Sequence, residues 1–543
     1  ILASKNIIKI IANCKEFLIC VDKLFSFNSE HGIPCENIED PVIACWLVDP
    51  DNQPASFVQL CRTAGLEHRS DDADWPAFLQ MTPKLMHNFR SKLKANKLWS
   101  VFTDIEMKLI PVLACMETQT IKVDTALFVK FSDILKSKIK RLEEAVYKEA
   151  GRKFSLNSHV QLRQILYEEL QLDTKLAPDK KIMKTDVCNQ KSTCESSLKL
   201  LAGVHPLPAL ILEYRQMQKL MSTYVDGMMS CVTNGSIMTH WDQTAAATGR
   251  LTSSQPNIQA VPKTLITVTD FQPNYVIGSE MSSVDIHARE PFISRPGCVF
   301  LAADFQQTEL RVLAHLSGDS TLQSLFKNTA GEDVFILLTK QWQNKTSSEV
   351  TSADREQTKR VVYSVMYGVG KDKLSEYLKV KPDIAQEIIT SFLLQFPAIG
   401  SFTKKCWTYA QEFGYTETVS GRRRYFPHIN SNSPVLRAQA QRQAVNFCVQ
   451  GSAADICKLA MLAVEKQLQE KAHLSCRLLL QIHDELIWEV PEDQLLETQG
   501  VIQKVIENPE TLCGTLFSLQ VPLTAAFSCG KSWAHMNSVI ATV

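Results

Sequence analysis

No apolar run approaches the ~18 residues that a membrane-spanning helix needs, so no segment of this 543-residue chain reads as a membrane span. No CxxC pair and no Cys/His cluster occurs either. The 16 cysteines are scattered, which argues against a zinc site or disulfide framework and for reduced thiols in a nuclear or cytosolic setting. Net charge is missing too, since 58 basic residues balance 58 acidic ones. A nucleic-acid binder is expected to carry a basic excess, so any such surface must be local. Two clusters qualify: Arg422, Arg423 and Arg424 with Arg437 and Arg442, and Lys136, Lys138, Lys140, Arg141, Lys148, Arg152 and Lys153. A solvated helix face would read the same way. The chain starts at Ile1 with neither an initiator Met nor a signal-peptide layout, which reads as a fragment. Residues 1–103 contain no Asp-x-Glu, and no tyrosine precedes Tyr147. At this length several subdomains are expected.

What is present is concentrated in two stretches. Val299-Phe-Leu-Ala-Ala-Asp304-Phe305 is an apolar run that delivers one aspartate, followed by a helical pattern through Leu310, Leu313, Ala314 and Ser317. An aspartate there commonly caps the helix. The second stretch changes that balance. Leu478-Leu-Leu-Gln-Ile482-His483-Asp484-Glu485-Leu-Ile-Trp-Glu-Val490 is two apolar runs pinched around three ionisable residues, a hairpin with acid at its tip. Two aspartates on neighbouring strand ends suit a two-Mg²⁺ site for phosphoryl transfer.

A third signal is Arg355, Lys359, Tyr363 and Tyr367, each four residues apart. A step of four advances about 400°, giving a slowly turning stripe with about 6 Å between neighbours. Two cations followed by two aromatics match a nucleotide laid along a helix. An amphipathic helix with a cationic edge does not explain why the aromatics share the cationic stripe. Arg360 lies one residue off it, as a solvated arginine or as a planar fork of donors pointing to one side of the stripe. Arg442, Asn446 and Gln450 repeat the spacing of four. Thr248 to Gln259 reads as an exposed polar loop holding Arg250, Asn257 and Gln259.

These stretches resemble the motifs of the family A DNA polymerases, from about Asp104 to Trp533, and within that family look closest to the vertebrate DNA polymerase nu group. The resemblance implies an α/β (α+β, multi-subdomain) right-hand fold with palm, fingers and thumb behind an N-terminal degenerate 3′→5′ exonuclease-like domain. The expected divisions are 1–103 for that inactive, truncated domain, 104–240 for the chain into the palm and the thumb, 241–325 for palm with the first acid, 326–426 for fingers, and 427–543 for palm with the second. Short runs such as Phe17 to Val21 and Val42 to Val48 suggest strands or a strand–helix mixture, and Asp40 falls where a nuclease metal aspartate would sit. Basic residues are expected opposite the apolar face of a thumb helix over 125–170. Residues 175–197, with Pro178 to Lys181, read as a mobile thumb-tip loop, and a helix over 207–231 leads back to the palm. The stretch 264–287 is an insertion relative to bacterial relatives, and Gln441 stands where they have Glu.

The implied reaction is template-directed transfer from a dNTP to a primer 3′-OH. By resemblance Asp304 and Asp484, with the Phe305 carbonyl, hold two Mg²⁺ ions, for which Mn²⁺ can substitute, and Glu485 is an outer ligand. Lys359 clamps the triphosphate and donates a proton to pyrophosphate, with Arg355, Tyr363, Gln307 and His483 also at the nucleotide. Glu309 sits where a 2′-hydroxyl would be. Arg250, Asn257, Gln259, Tyr367, Arg442, Asn446 and Gln450 face primer–template DNA. The missing Asp-x-Glu and Tyr-x-x-x-Asp imply no proofreading. Low fidelity, a nuclear role in repair or translesion synthesis, and repair or recombination factors bound outside this stretch complete the expectation, with no membrane partner. The alternatives are a DNA polymerase theta-like catalytic domain, whose insertions are longer, and a non-catalytic DNA-binding module, which would lose the carboxylates.

Overall fold

The computed structural model describes all residues except 26–33, 54–55, 67–74, 178–180, 186–188, 272–281, 328–331, 515 and 540–543. Both short apolar runs near the N-terminus are helices, α1 (Cys14–Phe25) and α2 (Pro41–Val48), not strands. An apolar run this short has no decisive periodicity, and the cap decides it. Asp40 accepts from Val42 N at 2.8 Å with one oxygen and from Cys14 N at 2.8 Å with the other, and Pro41 occupies the first turn. Asp40 is therefore a cap, with 2% of its surface exposed. Helix α3 (Trp75–Ala95) closes this unit around Trp46, Phe89 and Phe102.

Helix α4 (Met107–Thr118) belongs to two cores at once. Met107, Ile110 and Ala114 pack into the N-terminal cluster, while Leu109, Leu113 and Met116 pack into the main one. A helix apolar on both sides must be covered on both, so the N-terminal unit is joined to the palm through it. Strand β1 (Ile121–Lys122) follows. Helix α5 (Thr125–Ala150) starts at an Asp124 cap and stops at Gly151, whose φ of 73° is open to glycine. Periodicity puts Leu127, Phe131, Leu135, Ile139, Leu142 and Val146 on its apolar stripe; all are buried except Leu127, which is half-buried, with Phe128 buried in its place. Lys138 departs from the expected basic face: it is 5% exposed and paired with Glu213 at 2.8 Å.

The expected loop at 175–197 ends in a short helix, Glu195–Leu201, with one bridge between Lys184 and Lys191; Pro178 to Lys180 lies outside the described residues. Helix α6 (Pro206–Lys219) runs on through a π turn to Met229. Strands β2 (Val232–Thr233) and β3 (Ser236–Ile237) join β1 in a small sheet. Part of the insertion is a hairpin, β4 (Ile266–Phe271) with β5 (Ser282–Ile286), which buries Val268 and Ile286 in the main core; its centre, 272–281, is not described.

The palm is one five-stranded antiparallel sheet. Its middle strand is β6 (Cys298–Phe305), followed by helix α7 (Thr308–Ser317). The fingers carry α8 (Ser352–Met366) and α9 (Lys371–Leu378). Helix α10 (Pro434–Glu470) returns the chain to the palm, where β7 (Arg477–Ile482), β8 (Glu485–Pro491), α11 (Leu495–Ile506), β9 (Ala525–Ser532) and β10 (His535–Ser538) complete it. The strand order is β7-β8-β6-β9-β10. Helix α10 has the length and hydropathy of a membrane span, yet 78% of that apolar window is buried inside the fold, so it is a core helix. Small residues let it pass closely: a Cβ on Gly451 would lie 2.6 Å from the Thr418 methyl.

Candidate active site

Strand β6 is buried from Val299 to Phe305 except at Asp304, which reaches the end of the sheet. A run of apolar residues covered on both faces leaves its one charged residue no place but the rim. The β7–β8 turn comes to the same rim. Asp304 pairs across the ladder with Glu485, and Phe305 N donates to the Asp484 carbonyl at 3.0 Å. His483 makes the tight turn with φ of 57°, a conformation unusual for a residue with a Cβ. Two stretches remote in sequence thus place three carboxylates together.

The three repel one another. Burial pushes the Asp304 carboxyl up to about 7, with the charges of Asp484 and Glu485 adding to it. Burial also raises Asp484, reinforced by Glu309, and raises Glu485. Asp304 makes no side-chain hydrogen bond or ion pair among the described residues. Oxygen-only ligands held in mutual repulsion fit a hard divalent cation, which relieves the same repulsion. Two cations unnoticed in the sequence face the acids. Lys263 counters Asp304 and Glu485, and buried Arg289 lies 3.9 Å from Glu485, stacked 4.1 Å from the Trp533 ring. Neither belongs to a recognisable motif, and only the fold brings them here.

Beside the acids is a cavity of about 270 Å³ lined by Arg250, Phe305, Glu309, Tyr363, Tyr367 and Asp484, among others. Glu309 is held on both sides, by Arg250 at 2.5 Å and by the Tyr367 hydroxyl. Gln307, in the left-handed region at φ of 50°, makes the bend between β6 and α7. Helix α8 begins with a Thr351/Asp354 capping box and sends Tyr363 to the cavity, parallel to Tyr367 at 6.0 Å. Burial pushes the Tyr363 hydroxyl up to about 12, so it stays neutral. Of the two stripe cations, Arg355 is engaged by Asp333 at 2.7 Å and Glu356 at 2.6 Å, whereas Lys359 has no ion pair among the described residues. Arg360 is exposed and donates to the Tyr377 carbonyl of α9 at 2.9 Å.

The 248–259 segment is not the exposed loop expected. It contains a strand, Thr252–Ser254, and its polar residues brace the site from within. Gln259 donates to the Gln481 carbonyl at 3.0 Å and side chain at 3.1 Å, supporting the acid-bearing hairpin. Asn257 caps a short turn through Ala260 N at 3.2 Å and remains exposed. On α10, Arg442 is exposed and packs its stem over Gly368, while Asn446 and Gln450 are half-buried. Gln441 accepts from the Trp407 indole through its carbonyl at 3.2 Å.

The Arg422–Arg424 cluster is structural, contrary to its reading as a basic surface. Arg422 is 1% exposed and bound by Glu106 and by Asp455 at 2.7 Å, with Lys458 on Glu106 at 2.8 Å. Arg423 pairs with Glu417 and Arg424 with Asp51, each at 2.7 Å. Charge composition does not tell a buried network from a DNA-facing patch.

Comparison with known proteins agrees with this geometry. The sequence profile described as "DNA polymerase family A" matches residues 125–535. The thermostable DNA polymerase I of Thermus filiformis is 33% identical over 504 residues, covering 92% of this chain and 56% of that protein. DNA polymerase I of Pseudomonas aeruginosa is 34% identical over 482 residues, 88% of this chain and 48% of that one. The chain spans about half the length of the curated relatives it matches. The solved polymerase domain of Pol1 from M. smegmatis, in complex with DNA primer-template and dNTP, superposes with a TM-score of 0.83 at 29% identity, covering 98% of this chain and 87% of that one. With its acids at one rim of the palm sheet and the Lys359–Tyr363 helix facing them, the chain belongs to DNA polymerase family A.

Proposed function

We propose that this chain adds dNTPs to a primer 3′-OH under the direction of a template strand. The observation that carries the reading is the convergence of Asp304, Asp484 and Glu485, raised by burial and mutual repulsion, beside the cavity walled by Glu309 and Tyr363. Divalent cations, Mg²⁺ or in its place Mn²⁺, held by Asp304 and Asp484 with the Phe305 carbonyl, would lower the pKa of the 3′-OH and neutralise charge on the triphosphate. Lys359, with no ion pair among the described residues, is a cation available to the phosphates and to a proton transfer toward pyrophosphate. Arg355 has to exchange Asp333 and Glu356 for the triphosphate. Tyr363 offers a flat face to the base. Glu309, fixed by Arg250 and Tyr367, fills the space of a 2′-hydroxyl, so a ribonucleotide would clash or leave a polar group unpaired. Gln259 holds the hairpin while His483 and the Arg442, Asn446 and Gln450 row take the primer–template.

Finer features of the proposal are a nu-like placement, synthesis without proofreading, low fidelity, and work on damaged DNA in the nucleus with repair or recombination factors. The absent nuclease motifs support the second and the 264–287 insertion supports the first. A theta-like domain is disfavoured by the shortness of the insertions, and a non-catalytic module by the intact acids. Primer extension tests the core of it. Asp304→Asn or Asp484→Ala should lose about a thousandfold or more in rate, several kcal/mol of transition-state stabilisation, while duplex binding survives through phosphate contacts elsewhere. Near wild-type extension by Asp484→Ala would refute the assignment.

A further inference from the structure

The palm sheet has a second polar cavity, at the end of β6 away from the acids. Cys298 opens the strand and Asp304 lies one residue from its other end, roughly 20 Å away at strand rise. The cavity is about 730 Å³, and its lining includes Lys122, Arg295, Arg477, Thr120 and Ser236, with no carboxylate. Glu489, which pairs with both arginines, is buried and already fully used. Its Oε1 accepts from Arg295 N at 2.8 Å, and its Oε2 from Arg295 Nε at 2.5 Å and from Arg477 Nη2. Glu489 therefore fixes both guanidinium planes without neutralising the cavity. The two Nη groups of Arg295 and Nη1 of Arg477 make no hydrogen bond among the described residues, nor does Lys122 Nζ an ion pair. Arg477 is only 11% exposed at its side chain, and its Nε is buried with no partner. A buried, partly unpaired arginine beside two further cations is expensive unless an anion completes it. Oriented guanidinium forks with an ammonium and hydroxyl donors suit a tetrahedral oxyanion of more than one charge.

We propose that this cavity binds a phosphate-class anion, separate from the nucleotide site. The group could be a free phosphate or pyrophosphate or a phosphodiester of a DNA strand, and the ligand chemistry is shared. Calorimetric titration of the full chain with inorganic pyrophosphate, without divalent cations, tests it. One saturable site is expected that Lys122→Glu and Arg295→Glu each weaken at least about tenfold, as when a charge-assisted contact becomes a like-charge one. Lys359→Ala, in the nucleotide site proposed above, should leave that binding intact, so failure of one site is distinguishable from failure of the other. At saturating primer–template, primer extension by Lys122→Glu should match wild type. If Arg295→Glu does not fold, Lys122→Glu and Arg295→Gln decide the matter. Displacement of pyrophosphate by a short oligo(dT) identifies a strand as the source; no displacement identifies the free ion. Absence of saturable pyrophosphate binding, or binding indifferent to both charge reversals, overturns the proposal.

Discussion

Asp304 and Asp40 are both aspartates whose carboxyls burial pushes upward, to about 7 and about 6. Their neighbours decide what each does. Asp304 faces two other acids, whereas Asp40 accepts two backbone N–H groups and begins a helix as its N-cap. The raised Asp40 value has a pH consequence. Below the unfolded value near 3.8 the group is protonated in both states. Between there and about 6 the folded protein keeps a proton that the unfolded chain has released, so the stability contribution of Asp40 falls as pH rises through that window and is lost above it. Urea unfolding of wild type and Asp40→Asn should therefore show the wild-type advantage shrinking from pH 4 to pH 7; a constant difference would show that Asp40 is not so perturbed. Arg360 yields a kinetic prediction. Its tie to the Tyr377 carbonyl aims it across α8 toward α9. If it loosens fidelity, Arg360→Ala should lower kcat/KM for one or two mispairs by about tenfold, equivalent to about 1.4 kcal/mol, with correct insertion unchanged. An unaltered error spectrum would return it to solvent.

At the scale of elements, the buried network of Glu106, Arg422, Asp455 and Lys458 joins the start of α4 to α10. Trp46 of α2 lies over both cations, 5.2 Å from Arg422 and 5.6 Å from Lys458. Two cations against two carboxylates are balanced only while all four are present. Arg422→Ala would leave Lys458 alone against Glu106 and Asp455, one buried carboxylate too many, with a loss of about 3–5 kcal/mol of stability. The same substitution should leave the salt dependence of duplex binding by the folded protein unchanged, because a guanidinium hidden from solvent releases no counterions from DNA. A shallower salt slope would place Arg422 on the DNA after all.

At the scale of the whole molecule, the N-terminal unit has a core of its own yet shares α4 with the polymerase body. Residues 1–103 carry no Asp-x-Glu and no tyrosine, and Asp40 caps α2. A labelled mismatched primer incubated with Mg²⁺ and no dNTP should stay full length. Shortening that vanished in Asp40→Ala would show nuclease chemistry in the unit.

The palm was readable because its signals are local. An apolar run ending in Asp304, a hairpin tipped by Asp484 and Glu485, and the fourfold spacing from Arg355 to Tyr367 follow from strand and helix periodicity. The stripe of α5 was readable for the same reason. Periodicity could not decide the two short runs that became α1 and α2, because a few apolar residues satisfy either period until a cap such as Asp40 intervenes. Nor could it say which charges are buried. Arg422, Lys138 and Gln259 looked like surface, and became buried or, for Gln259, half-buried once Asp455, Glu213 and Gln481 arrived from elsewhere in the chain. Lys263 and Arg289 beside the acids, and Lys122 with Arg295 and Arg477 at the far end of the sheet, were invisible for the converse reason. Residue types and local spacing are properties of the sequence; which charges meet, and whether water reaches them, is set by long-range packing, and only the tertiary structure decided it.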